Sequence, residues 1–256
     1  FNQHLFIILF IAMVIGLVLT ELMRIMVLPG GRAGLDPTRI YFETGFSKTV
    51  FSFGFPITIW LFLSYLVNIS DRFILKEFAS YENVGTYAAI KDLIIKISTF
   101  TTIPILLAYH PKIMETWNRH EKKGALALVK ESLLLVFLVS VSVIIFFLFA
   151  QDYLYQKVLK LNNPGLGWTS FALLLSAFLY QAAMLIHKPL ELLLKQNLMI
   201  VAIIGSLIFN IAGNLIFVPG LGFKAAAWVS LASSLFYIIL VFIFSSWHLK
   251  KEKINE

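Results

Sequence analysis

Apolar residues in this 256-residue chain come in long blocks, separated by short polar stretches rich in Pro, Gly, Lys and Arg. A helix needs about 20 mostly apolar residues to cross a hydrocarbon core about 30 Å thick, and about seven blocks meet that length. They run from Leu5 to Leu28, Lys48 to Val67, Thr86 to Tyr109, Ser132 to Ala150, Trp168 to Ile186, Leu198 to Val218 and Ala225 to Trp247. Helix-breaking chemistry lies between them: Pro29-Gly30-Gly31, Asn162-Asn163-Pro164-Gly165, Pro189 in the link His187–Gln196, and Pro219-Gly220-Leu221-Gly222. No breaker follows Asn68, Asp71 and Arg72, so the second helix is expected to run on toward Phe78, with a turn over Ser80–Gly85. The hydrophilic stretch His110–Glu131 reads as a connecting loop. Residues 35–46 mix Ile40, Tyr41, Phe42 and Phe46 with Asp36, Arg39 and Glu43, which suits an interfacial amphipathic helix or a plain loop. The pattern predicts an all-α fold, a polytopic transmembrane helical bundle of about seven spans.

Composition removes the soluble alternative. The chain is 59% hydrophobic and 14% charged, with a mean hydropathy of +0.84, whereas soluble domains carry roughly 25% charged residues. A net charge of +7 would suggest a nucleic-acid partner in a soluble protein. Here the cations sit in short loops, and membrane orientation accounts for them instead. Two thirds of the 21 Lys and Arg fall on the side that receives Lys112–Lys130 and the tail from Lys250. The positive-inside rule assigns that side, and the C-terminus with it, to the cytoplasm. There is no cysteine, hence no disulfide framework and no thiolate metal site. Residue 1 is Phe and the first block lacks the marks of a signal peptide, so the chain reads as the C-terminal piece of a longer protein.

Ionisable groups inside a span cost at least about 2.5–3.5 kcal/mol on insertion scales, and they usually face a partner or a water-filled cavity. The second helix brings Asp71 and Arg72, and the third brings Lys91, Asp92 and Lys96, toward one leaflet. Asp92 and Lys96 are four apart on one face and can pair; Lys91 lies on an adjacent face. One reading is a cationic patch lining a cavity for an anionic group such as a lipid-linked pyrophosphate. The other is a set of interfacial charges snorkelling to water. Asn210 and Asn214 share a face of the sixth span beside Gly213, a pattern of close helix packing, with substrate contact as the alternative. The five histidines, His187 among them, read as anchors near helix ends. The tryptophans, Trp60 included, read mostly as belt residues. Asn68-Ile69-Ser70 matches a glycosylation sequon. No metal spacing, nucleotide-binding loop, nucleophile elbow or paired catalytic carboxylates are present, so neither an enzyme nor a cofactor is expected.

Two stretches resemble a known family. The first is Phe53-Gly54-Phe55-Pro56, then Asn68 to Leu75 with Asp71-Arg72, then Val84-Gly85-Thr86-Tyr87-Ala88. The second is Asn210 to Asn214 followed by Phe217-Val218-Pro219-Gly220-Leu221-Gly222 and Ala225-Ala226-Ala227. Their order and spacing over Lys48 to Trp247 is similar to the second half of bacterial polysaccharide flippases of the Wzx type, within the multidrug/oligosaccharidyl-lipid/polysaccharide exporter superfamily. Lys224 departs from the pattern, which more often has Gly there. The resemblance implies the second lobe of a two-lobe MATE-like transporter plus one preceding helix. Residues 1–28 would be the last helix of a missing first lobe, 29–47 a cytoplasmic linker, 48–247 the six-helix lobe and 248–256 a charged cytoplasmic tail. It further implies a bacterial inner-membrane protein that moves undecaprenyl-pyrophosphate-linked glycan by alternating access, among other glycan-assembly proteins. Arg72, Lys91 and Lys96 would then draw in the anionic cargo. Asp71 or Asp92 would balance charge or couple an ion, and Asn68, Asn210 and Asn214 would serve packing or the cavity. A cation-coupled multidrug exporter of the same superfamily and a membrane enzyme of glycan assembly are the competing readings.

Overall fold

The computed structural model describes residues 44–160 and 166–254, and every regular element among them is a helix. The chain divides into two compact units, residues 1–51 and 52–256, and the described helices belong almost wholly to the second. The helices are α1 (Thr44–Phe78), α2 (Tyr81–Asn118), α3 (Lys122–Tyr153), α4 (Gly167–Ile186), the short α5 (Lys188–Leu192), α6 (Gln196–Leu221) and α7 (Phe223–Ile254). A five-residue π-helical segment, Leu154–Val158, continues α3. All but α5 contain a stretch long and apolar enough to cross a membrane, six among the described residues. The expected first span, the turn at Asn162–Gly165 and all but the last three residues of the amphipathic segment at 35–46 lie outside the described residues; those three, Thr44, Gly45 and Phe46, open α1.

Three boundaries differ from the sequence reading. The turn expected over Ser80–Gly85 shrinks to Ala79 and Ser80, because Ser80 caps α2 by accepting the Asn83 N–H at 3.3 Å. A serine cap satisfies a backbone donor that would otherwise be orphaned, so the helix starts earlier. The loop expected over His110–Glu131 is mostly helix. Only Arg119, His120 and Glu121 separate α2 from α3, with His120 at φ 63° and its N–H on the Trp117 carbonyl. Lys and Arg are good helix formers, so polarity there marks the exit from lipid and not the end of the helix. At the far end, Pro219 is carried within the last turn of α6, and Gly222, at φ 60°, makes the reversal into α7.

α4 and α7 form the centre. α4 packs on α7 and also touches α2 and α3, while α6 packs on the other flank of α7 and α3 lies against α2. The α7 sequence explains its place, since Ala225, Ala226, Ala227, Ser230, Ser233 and Ser234 are all buried and small residues let helix backbones approach closely. Gly213 of α6 serves the same approach: a Cβ there would lie 2.9 Å from Cγ1 of Val229. The outer faces are apolar. Phe137, Phe146 and Phe149 of α3 are 60–86% exposed, a surface that hydrocarbon tolerates and water does not.

Candidate functional site

Polar chemistry concentrates where α1, α2, α4, α6 and α7 converge. Asp71 is fully buried and Lys91 is 5% exposed, and the two form an ion pair across α1 and α2. The same carboxylate oxygen, Oδ2, also accepts from the Tyr87 hydroxyl and from Ser230 Oγ at 3.2 Å. Oδ1 is buried without a partner among the described residues. Beside this pair, Arg72 donates to Asp92, but at the rim, where the two side chains are 25% and 50% exposed. Burial makes the first pair the consequential one: removing either member would leave an uncompensated charge in a low-dielectric interior.

A hydrogen-bonded net extends from Asp71 into α6 and α7. Ser230 is linked to Ser233, whose Oγ reaches the Ser230 carbonyl at 3.0 Å and accepts from Asn210 Nδ2 at 2.9 Å. Asn210 Oδ1 in turn accepts from Ser70 at 3.0 Å and from Asn214 Nδ2 at 2.9 Å. Ser176 of α4 donates to the Ser230 carbonyl at 3.0 Å and lies 2.9 Å from Ser234 Oγ. A cavity of about 160 Å³ opens against this net. Its wall carries Lys91, Asn68, Ser98, Thr99, Tyr180, Gln181 and Asn210, together with the α7 serines. Gln181 donates to Thr99 at 3.4 Å, while its carbonyl oxygen is buried without a partner among the described residues. A cavity with such groups can hold water or a hydroxyl-bearing ligand.

The sequence candidates are thus spread over three places. Lys91, Asn68 and Asn210 line the cavity, with Asp71 behind Lys91 and Asn214 in the net. Arg72 and Asp92 sit at the rim. Lys96 does not pair with Asp92, as the four-residue spacing suggested; it lies exposed one turn further along α2, beside Ile97 and Phe100. The tertiary partner prevailed, because Arg72 presents a guanidinium at the height of Asp92.

A second cluster at the opposite end of the bundle escaped the sequence reading. Trp60 is 5% exposed and His187 3%, so neither is a belt or anchor residue. Trp60 Nε1 donates to the Tyr237 hydroxyl at 2.8 Å, and His187 Nδ1 lies 3.1 Å from the same oxygen. Nearby, Lys188 donates to Glu191 at 2.6 Å and to His110 Nδ1 at 2.9 Å. These groups edge a separate, mostly aliphatic cavity of about 230 Å³. The signal available in the sequence was Pro189 followed by Leu190 and Leu192, which marks a short buried helix turning inward.

Among the described residues no group of three or more His, Cys, Asp or Glu side chains could hold a metal ion. No family model and no curated protein matches the chain. Among solved structures it is similar to an outward-facing multidrug resistance MATE family transporter of the MOP superfamily, with 20% identity and a TM-score of 0.62. The likeness covers 76% of this chain and 44% of that one, so the chain spans less than half the length of the transporter it matches. The described residues therefore form a multi-pass membrane bundle with a fold found in MATE transporters.

Proposed function

We propose that this chain forms one lobe of an alternating-access transporter that carries a lipid-linked oligosaccharide across a bacterial inner membrane. The cavity lining carries the reading. Most of its lining residues bring a hydroxyl, an amide or the paired ammonium, beside an aliphatic share from Val67, Ile94, Ile95 and Leu173. No Phe or Trp is among the described residues that line it, which suits sugar hydroxyls better than an apolar drug. A glycan and its pyrophosphate cannot cross hydrocarbon unaided, since desolvating them without hydrogen-bonding partners is prohibitive. A polar recess in an apolar bundle supplies those partners while a polyprenyl tail remains in lipid. Rocking of two lobes about such a site exposes it to either side in turn. In this reading Arg72 and Lys96, on the more exposed surfaces, attract the anionic group. Lys91, neutralised by Asp71, forms the polar wall.

Complementation of a flippase-null strain by the native protein tests this. Gln181→Leu and Asn68→Leu, which strip hydrogen-bonding groups from the cavity, should lower surface glycan at least tenfold at unchanged protein level. Wild-type glycan in both variants and in Arg72→Gln/Lys96→Gln would overturn it. A cation-coupled multidrug exporter is the second reading, favoured by the solved transporter of like fold. It predicts raised drug resistance on expression and no glycan phenotype.

A further inference from the structure

We propose that the groove between α3 and α4 holds an acyl chain of an anionic glycerophospholipid, with Lys130 on the lipid phosphate. The groove has a volume of about 500 Å³, roughly three times the ~150 Å³ cavity that holds a benzene ring. Phe137, Val141, Leu175 and Leu179 wall it, and the buried Val136 and Phe178 floor it. Ser140, the hydroxyl on its lining, spends its proton on the Val136 carbonyl at 2.6 Å, so the surface offers water almost nothing. Lys130 is the ionisable group on the lining and stands at one end. From Lys130 to Ile144, also on the lining, is a run of about 21 Å at 1.5 Å per residue, enough to cover one leaflet of about 15 Å.

Charge points to the headgroup. Lys130 is exposed and makes no ion pair among the described residues; the adjacent Glu131 points to another side of α3, where it accepts from the Tyr109 hydroxyl at 2.8 Å. That bond also sets α2 and α3 level with each other. It places Lys130 with the polar hairpin tip that carries exposed Lys112 and Lys123, where a lipid phosphate lies. A zwitterionic lipid would satisfy the groove equally but bring no net charge for the lysine. The proposal does not depend on the cargo proposed above.

Native mass spectrometry of the detergent-purified native protein tests it, with phosphatidylglycerol and phosphatidylcholine of identical acyl chains as probes. One retained phosphatidylglycerol is expected, held about fivefold more tightly than phosphatidylcholine, the worth of one lysine at an anionic surface. Lys130→Gln should bring the two lipids level, and Val141→Trp, which fills the groove from its exposed rim, should lower both. Equal retention by the parent protein, or unchanged selectivity in Lys130→Gln, overturns the assignment of an anionic lipid to Lys130. A photo-crosslinking residue at Leu134 that captures polypeptide instead of lipid in native membranes overturns the occupant.

Discussion

Replacing Lys91 by Met should destabilise the protein at least as much as replacing both members of its ion pair. The site is buried on both sides, with Asp71 fully enclosed and Lys91 5% exposed. Removing one partner of such a pair typically costs about 3–5 kcal/mol. Lys91→Met leaves a carboxylate that still accepts from Tyr87 and Ser230 but has no counter-charge. Asp71→Asn keeps an oxygen for the same two hydroxyls and strands the ammonium, so its cost should also be about 3–5 kcal/mol. Asp71→Ala should add about 1–3 kcal/mol for each of the two buried hydroxyls, Tyr87 and Ser230, that it deprives of an acceptor. In Asp71→Asn/Lys91→Met no charge is left over. The double variant should cost no more than either single, giving a coupling of about 3 kcal/mol or more. Reversible unfolding in mixed detergent and dodecyl sulfate micelles, followed by tryptophan fluorescence, measures all four proteins. Singles below about 1 kcal/mol, or a double equal to their sum within about 0.5 kcal/mol, would refute the buried-pair argument.

Three further outcomes follow from the geometry. Tyr237→Phe removes the acceptor of the buried Trp60 N–H and should cost about 1–3 kcal/mol; if Trp60→Phe adds fully to it in the same unfolding assay, the bond contributes nothing. Gly213→Ala places a methyl 2.9 Å from Val229 Cγ1, an overpacking worth about 1–3 kcal/mol. Val229→Ala should restore part of the lost thermal stability, and its failure to do so would place the strain elsewhere. Because this chain carries no cysteine, single introduced cysteines report topology without background from it. Arg119→Cys and Lys251→Cys should react with an impermeant maleimide from one side of the membrane and Ser80→Cys from the other. Reaction of Ser80→Cys and Arg119→Cys from the same side would show that α2 does not cross.

Hydropathy made the spans legible because lipid exposure writes itself into composition: α3 is apolar nearly all round, and its start and end were the only uncertain part. Helix ends were less legible. Around Tyr109–Glu131 the chain leaves hydrocarbon but keeps hydrogen-bonding its own backbone, and hydropathy records only the first event. Pro111 was equally uninformative, since it sits inside α2. His187 and Trp60 misled for a related reason. Position near a helix end implies an interface only when the chain then departs, and here α5 turns back so that Leu190 is fully buried. What had to be weighed was the apolar run after the histidine, not the histidine.

The charge pairing was present in the sequence in a form that intrahelical spacing does not reveal. Reading α2 alone favours Asp92 with Lys96, four residues on. Reading α1 and α2 as antiparallel neighbours about a turn at Ala79 and Ser80 gives a different result. Asp71, eight residues before the turn, then comes within reach of Lys91, eleven after it, and Arg72 within reach of Asp92. The long Lys and Arg side chains span the offset, and each meeting joins opposite charges. The two pairs differ by one residue on each helix, about 100° of rotation at 3.6 residues per turn, so one pair turns inward and the other toward the rim. That rotation explains why Asp71 is enclosed while Asp92 is half exposed. It also separates their tasks: the inner pair sets the electrostatics of the cavity wall, and the outer pair meets whatever approaches it. In the transport proposed above, an anionic cargo would meet Arg72, already held by Asp92, before Lys91, already held by Asp71. Asp92→Asn should consequently strengthen cargo binding where Asp71→Asn weakens the fold.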